Sequence, residues 1–413
     1  MATLGWIDFS KEYRQKVGTI LELLKPEGMV DELGIGTIRD AIANQLFPGI
    51  STIQTRAKYF FIVPYILYDY LAEDKTKRKR IPVTKYLDDR EHEVIWELAE
   101  RYNYDRSSGH GVIGISKKRP ERIMRRPSEI YWGGLNTYNI IKTGGYGVNA
   151  FLSNRKNSSL ESLIANVAES DDSYGDDKDA DYENEFRIMI SPNPSWRDSL
   201  SLELTEEEAD ILKNRIIDIA SDQLVGELLS KNKLFDLFRS TDEFMDFSKV
   251  VTDSLVVSED LQRDLIIAHD FSEMMYGANI VYNYLIQKYR FEKDYWLDEW
   301  DEWLDNLSIE MISFDSFDPS MLFRPPFSLT TKTETQQFVL RYWSLVKSNQ
   351  RDIESYSELV INQEYNTKKY KARLRLGKLD DVKEDHWIGL QRLSYRYKNA
   401  KVILGDIFNG LGI

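Results

Sequence analysis

Apolar positions recur along most of the chain at the spacing of an α-helix rather than the alternation of a strand. Within the first 72 residues the pattern predicts three helices. Ser10 can cap the first, whose apolar positions include Val17, Ile20, Leu21 and Leu24 and which Pro26 and Gly28 stop. The second runs from Thr37 to Leu46, ahead of Pro48-Gly49. The third begins at Ser51 or Thr52 and carries Gln54, Arg56 and Lys58 in its first two turns. Thr84 to Tyr102 is helical, with Val94, Ile95, Leu98 and Tyr102 on one face. A polar break, SSGHGVIGISKKRP, follows, and a short helix opens at Pro127, where a missing N–H costs nothing. Gly144, Gly145 and Gly147 end that region.

The second half reads as helical almost throughout. Thr205 and Glu208 form a capping box, each able to satisfy a backbone N–H of the other's turn. Helices are expected near 206–218, 221–238, 258–289, 333–348, 352–362 and 384–411. The Pro-spaced stretches 191–204 and 313–329 read as loops, and VTDSLVV and FRIMI are the two candidate short strands. The expected fold is therefore mainly α, a helical N-terminal module and a helical C-terminal bundle with few short strands. The organisation follows the composition: a module over 1–150 with a basic loop, an acidic linker or surface loop region over 151–200, and a helical domain over 201–413. No repeat of the length that builds a solenoid is visible.

Composition narrows the chemistry. The 413 residues are 42% apolar and 30% charged, enough to fill a core. There is no Cys, which removes disulfides, thiol nucleophiles and Cys-ligated metal sites, and only four His: His92, His110, His269 and His386. The most apolar run, Tyr59 to Tyr70, contains Pro64 and is shorter than the roughly 18 to 20 residues a membrane span needs. The opening MATLGWIDFSKEYR lacks the layout of a signal peptide, so the expectation is a cytoplasmic protein with no membrane contact.

Motifs with a known mechanism mostly fail. Gly109 to Gly114 spells GxGxxG, but a helix and a polar break precede it and a basic run follows, so a dinucleotide site is not expected. GVIG reads first as a structural turn and second as a loop that lets a nucleic-acid backbone approach. There is no GK[ST] phosphate loop, no HExxH and no His-x-Lys pair. His269, Tyr276 and Asn283 recur at near seven-residue spacing, a polar seam inside a bundle or, alternatively, a catalytic group. No cofactor and no metal site is implied, and nothing identifies an enzyme. A metal-dependent nuclease built from scattered Asp and Glu stays open as an alternative.

Charge is unevenly spread, and this changes the picture. The chain carries 54 Lys+Arg against 68 Asp+Glu, a formal charge of -14, which argues against coating nucleic acid by bulk charge. Nine acids fall within 169–185, a solvated loop by composition. Bases gather at 76–80, at 117–126 and at 368–401. Local clusters of this kind bind phosphate. Lys117, Lys118, Arg119, Arg122, Arg125 and Arg126 are the candidate phosphate contacts. Arg39, Gln54, Arg56 and Lys58 form a second candidate polar site, presented as the first turns of a recognition helix are. Trp296, Trp300 and Trp303 share one side of the acidic helix FEKDYWLDEWDEWLDNL, which either caps the core or docks a basic partner.

LGWIDFS at 4–10, the block DELGIGTIRDAIANQLFPGISTIQTRAKYFFIVPYI at 31–66, GVIG, PSEIYWGGL and MMYGANIVYNYL carry a family likeness. Through them the chain resembles an uncharacterised bacterial domain-of-unknown-function family of similar length, most clearly over the first 140 residues. The resemblance implies genes within anti-phage defence islands, beside helicases, ATPases, DNA methyltransferases and phospholipase D-like nucleases. It supplies no catalytic residue. The expected function is a non-enzymatic subunit of such a system that binds DNA or a DNA-processing partner. The alternatives are the Asp/Glu nuclease and a pure protein-interaction scaffold using the Trp helix.

Overall fold

The computed structural model describes residues 31–106, 110–141, 145–153, 192–193, 195–254, 256–288, 294–327, 330–375, 377 and 387–413. They form fifteen α-helices and no strand, so the mainly α expectation holds. In chain order these are α1 (Gly36–Leu46), α2 (Tyr59–Ala72), α3 (Lys75–Arg80), α4 (Val83–Arg101), α5 (Pro127–Thr137), α6 (Val148–Ser153) and α7 (Glu206–Ala220). There follow α8 (Leu224–Ser230), α9 (Asn232–Ser240), α10 (Phe244–Ser254), α11 (Glu259–Lys288) and α12 (Asp294–Glu310). The last three are α13 (Thr333–Lys347), α14 (Glu354–Lys368) and α15 (Tyr397–Gly410). Among the described residues no helix is long and apolar enough to cross a membrane.

Several expected elements differ. The third helix starts at Tyr59, so Gln54 to Lys58 precede it instead of forming its first turns. The first four residues of VTDSLVV end α10 rather than forming a strand. FRIMI, the acidic segment 169–185 and the first helix at Ser10 lie outside the described residues. The stretch expected as one helix over 221–238 is two, α8 and α9, broken at Lys231. The final helix begins at Tyr397 rather than near 384, because Tyr395 and Arg396 both sit at positive φ, 45° and 68°, where a helix cannot propagate.

The contacts divide the chain into two units, and neither is a single continuous segment. The first unit takes the described residues within Met1–Ile42, Ser248–Ser254 and Gln262–Tyr395. The second takes those within Ala43–Phe247, Leu255–Leu261 and Arg396–Ile413.

In the second unit α2 is the central element. Its sequence YFFIVPYILYDYLA is apolar on nearly all faces, which suits a helix surrounded by others. It packs against α4 and α5, while α7 packs against α8 and α15. Tyr59, Phe60, Tyr131 and Tyr138 make tilted and edge-to-face aromatic pairs across the α2–α5 contact.

In the first unit the long α11 is the axis, with Phe271, Met274, Met275, Ala278, Ile280 and Val281 all buried. α12 lies so close that a Cβ on Gly277 would stand 2.3 Å from the Trp303 ring, which only Gly permits. Residues 387–395 run beside the polar side of α11. Asn283 brackets Ile388 by accepting its N–H and donating to its C=O. The Ser272 hydroxyl accepts from the Leu393 N–H, and Glu273 holds Arg392 through both oxygens.

Candidate nucleic-acid interface

The ten candidate nucleic-acid residues fall into distinct structural roles. Arg39 belongs to the first unit, on the surface of α1, and pairs with its neighbour Asp40 at 3.0 Å. Gln54, Arg56 and Lys58 belong to the second unit and are built into its interior. The Gln54 side chain closes its own turn, donating to the Gly49 carbonyl and accepting from the Ser51 N–H. Arg56 donates through Nε to both oxygens of Asp406 on α15, at 3.0 and 2.9 Å, and through Nη1 to the His110 carbonyl. Burial opposes the Arg56 charge, yet the Asp406 hydrogen bond and charge hold its pKa above the usual value. Burial likewise raises Asp406, against the pull of Arg56. Lys58 donates to both Glu208 oxygens, at 2.8 and 2.7 Å, and the Tyr65 hydroxyl donates to the same carboxylate.

These partners correct the picture of a presented recognition helix. Arg56 and Lys58 neutralise buried carboxylates 350 and 150 positions away along the chain, and a phosphate would have to displace them. The segment is instead a hub for backbone. The Tyr131 hydroxyl accepts from the N–H groups of Thr55 and Arg56 and donates to the Arg56 carbonyl. The Thr55 hydroxyl donates to the Gly111 carbonyl, and the Tyr59 hydroxyl accepts from the Ile113 N–H.

That hub also explains the GVIG turn. Gly111 and Gly114 have φ of 76° and 69°. A Cβ on them would stand 2.8 Å from Arg56 Cγ and 2.5 Å from Ile123 Cγ2. The close approach the glycines allow is therefore to this chain's own side chains. α4 precedes the turn, and among the described residues no helix follows it before α5.

The basic loop over 117–126 lies against α4 and is firmly pinned. The Trp96 indole donates to the Glu121 carbonyl, and His92 accepts the Ile123 N–H at Nε2. His92 Nδ1 stands 2.6 Å from the Asp88 carbonyl, which fixes the tautomer with the proton on Nδ1. Arg122 donates to Asp88 and, at 2.6 Å, to Asp89. Lys117 pairs with Glu121 at 3.0 Å and Arg119 with Glu97 at 3.6 Å. Arg126 reaches Glu129, Asp88 and the fully buried Glu91. Lys118 instead lies over the Tyr104 ring, and Arg125, exposed beside the 99% exposed Met124, makes no ion pair among the described residues.

A neighbouring pair of cations extends this surface. In α3 the sequence KTKRKR follows Asp74, whose carboxylate caps the helix by accepting from the Thr76 and Lys77 N–H groups. Arg78 turns inward and donates to the Glu73 carbonyl, whereas Lys79 and Arg80 are exposed and make no ion pair among the described residues. Two residues, Ile81 and Pro82, separate α3 from α4, and Asp88, which holds Arg122, is five residues on from the start of α4. Arg122 on Asp88 lies near the start of α4, whereas Lys118 over Tyr104 lies just past its end, so at 1.5 Å per residue the cations spread over roughly 30 Å along the helix. Lys79, Arg80, Lys118 and Arg125 are thus a rim of cations not neutralised by carboxylates among the described residues, strung along α4 from its start, beside Arg80, to its end, beside Tyr104. The basic pattern at 76–80 was visible in the sequence; which of its members face out was not.

The three tryptophans of α12 point inward. Trp296, Trp300 and Trp303 are 5%, 1% and 4% exposed. The Trp300 indole donates to the Arg351 carbonyl and its ring meets Tyr356, while the Trp303 indole donates to the Glu273 carbonyl. They cap the core of the first unit and present no anchor for a partner, which corrects the docking expectation. The polar seam of α11 is likewise satisfied internally. His269 meets Asp270 at 3.1 Å, and Asp270 accepts the N–H groups of Ile312 and Ser313. Tyr276 donates to Glu299 and stacks on Trp387, and Asn283 holds Ile388. Among the described residues no group of three or more His, Asp or Glu side chains is placed to hold a metal ion.

No curated protein and no solved structure matches the chain. A family model does, over residues 1–295, a stretch that includes α2, α4, the hub at Arg56 and the whole cationic rim. The chain therefore belongs to DUF6361, a family of unknown function.

Proposed function

We propose that the chain is a non-enzymatic subunit of a bacterial anti-phage defence system that binds DNA through the cationic rim beside α4. One observation carries the reading. In a chain of net charge -14, Lys79, Arg80, Lys118 and Arg125 are exposed along α4 of one unit and make no ion pair among the described residues. Duplex DNA carries a charge every ~1.7 Å of axis, so cations spread over roughly 30 Å of α4 meet several phosphates along the duplex. The exposed halves of Arg119 and Arg122 widen the contact, and the pinned loop holds Lys118 and Arg125 in place at little entropic cost. Such contacts position a protein on DNA without reading its sequence. The defence setting rests on the family resemblance, whose implied neighbours are helicase, ATPase, methyltransferase and nuclease subunits. Sequence selection and chemistry would then belong to those partners.

The test is fluorescence anisotropy of a labelled duplex with the full chain, alone and with its operon partners. Replacing Lys79, Arg80, Lys118 and Arg125 together by Glu abolishes the binding on this reading. Wild-type protein that leaves the duplex unbound in both settings, or a variant that binds as well as wild type, contradicts it. Retention of partner proteins after nuclease digestion, with no duplex binding, would favour a scaffold.

A further inference from the structure

A second basic stretch, KKYKARLR at 368–375, lies beyond the residues the family model matches and belongs to the first unit. α14 ends at Lys368, a short 3-10 turn spans Lys369–Lys371, and Ala372 and Leu374 are buried. The turn is anchored from beneath. The buried Glu364 carboxylate accepts the N–H groups of Arg373 and Leu374 and the Tyr282 hydroxyl. Glu32, also buried, draws Lys368 to 3.2 Å and Arg373 to 3.6 Å.

Anchoring sorts the five cations. Lys368 and Arg373 are held to the acid below, Lys369 and Arg375 point outward, and Lys371 is exposed between them. Lys369 and Arg375 make no ion pair among the described residues. Both lie over the Tyr365 ring instead, Arg375 at 4.3 Å and Lys369 at 5.8 Å from its centre. A ring orders a cation without cancelling its charge, unlike a carboxylate. Tyr370 stands among them at 60% exposure. Lys369 holds φ of 53° and ψ of -120°, a conformation where glycine is the ordinary choice. The chain keeps a charged side chain there at a cost in backbone strain.

We propose that the face formed by Lys369, Tyr370, Lys371 and Arg375 binds single-stranded nucleic acid. Tyr370 stacks on an unpaired base, and the cations hold the flanking phosphates. The Arg375 guanidinium, already over the Tyr365 ring, offers a second stacking group. A duplex keeps its bases stacked inside and cannot use Tyr370, so the exposed ring selects for single strands. This site is distinct from the rim beside α4 and stands or falls separately.

The test uses the full chain and labelled probes of about 12 nucleotides, oligo-dT, oligo-U and a duplex, read by anisotropy. A 2-aminopurine probe reports stacking directly. Tyr370→Ala is expected to weaken single-strand binding about tenfold and to abolish the 2-aminopurine quench, with duplex affinity unchanged. Tyr370→Phe, which keeps the ring, restores both. Lys369→Glu with Arg375→Glu lowers affinity for the single strand and flattens its salt dependence. The dT and U arms separate DNA from RNA, and tight binding of either supports the site. Absence of single-strand binding by wild type overturns it, as does a Tyr370→Ala protein that binds and quenches as wild type does. Equal loss of duplex and single strand in that variant also overturns it. The rim variant with four Glu substitutions keeps the quench if this site is real, whether or not the rim binds duplex.

Discussion

Glu91→Gln should flatten the dependence of stability on pH while leaving the fold intact. Glu91 is fully buried on α4 and caps α5 from outside that helix. Its Oε1 accepts the Ser128 N–H at 2.5 Å and its Oε2 accepts the Ser128 hydroxyl at 2.9 Å. Burial pushes its carboxyl from 4.5 up to about 8, although the Ser128 hydrogen bonds and Arg126 pull the other way. The folded-state pKa is thus the higher one. The folded protein retains a proton that the unfolded chain has released once the pH passes the unfolded value. The contribution to stability is fully present below about 4.5 and is lost as pH climbs through about 8. At roughly 1.4 kcal/mol per unit, the loss reaches on the order of 3 kcal/mol at pH 7 and 5 kcal/mol at pH 8. Gln is neutral at every pH, can accept the Ser128 N–H and can donate to the Ser128 hydroxyl. Urea unfolding of wild type and variant from pH 5 to 8 measures the difference, with m-values compared to confirm that the same surface unfolds. The two stabilities should lie closest at pH 5 and diverge by about 1.4 kcal/mol per unit up to pH 7 and by less beyond it, the variant being the more stable. Parallel curves across that range would refute the reasoning, because Glu91 would then ionise as readily inside the fold as outside it.

Three further outcomes follow from the same contacts. Lys58→Met strands the Glu208 charge in the interior and should cost about 3–5 kcal/mol in urea unfolding, with Glu208→Gln added to the variant recovering part of it; an unchanged midpoint would return Lys58 to the surface. Trp303→Ala should destabilise the first unit by about 3–5 kcal/mol, whereas Gly277→Ala should drive a methyl into that same ring and cost about 1–3 kcal/mol; chemical denaturation followed by Trp fluorescence checks both. Arg122→Ala removes the contacts to Asp88 and Asp89 and should raise amide hydrogen exchange across 117–126 without unfolding α4; uniform exchange in the two proteins would show that Trp96 and His92 suffice to hold the loop.

The elements that could be read in the sequence are those whose signal is local. The capping box of Thr205 and Glu208 forms as its spacing implies, each side chain meeting the other's backbone N–H. The apolar face of α4 likewise follows from Val94, Ile95 and Leu98. The segment 51–58 misled because its Ser, Thr, Gln and Arg content suits a helix start equally well. What decides its shape is Asp406 and Glu208, partners that no local pattern announces. The tryptophans of α12 show a related limit. An amphipathic helix has the same periodicity whether its aromatic side meets its own core or a partner, and only the facing Gly277 and Tyr356 settle the matter. The basic clusters were legible as clusters. Their division into anchoring and outward cations was not, because it depends on where Asp88, Glu97 and Glu32 fall in space.

The salt dependence of duplex binding tests the central claim most directly. Each phosphate neutralised contributes about 0.9 to the slope of log affinity against log salt. Replacing Lys79, Arg80, Lys118 and Arg125 by Ala should therefore lower the slope by about 3 to 4. A slope that these substitutions leave unchanged, in a variant shown to be folded, would contradict the assignment of DNA contact to the rim beside α4.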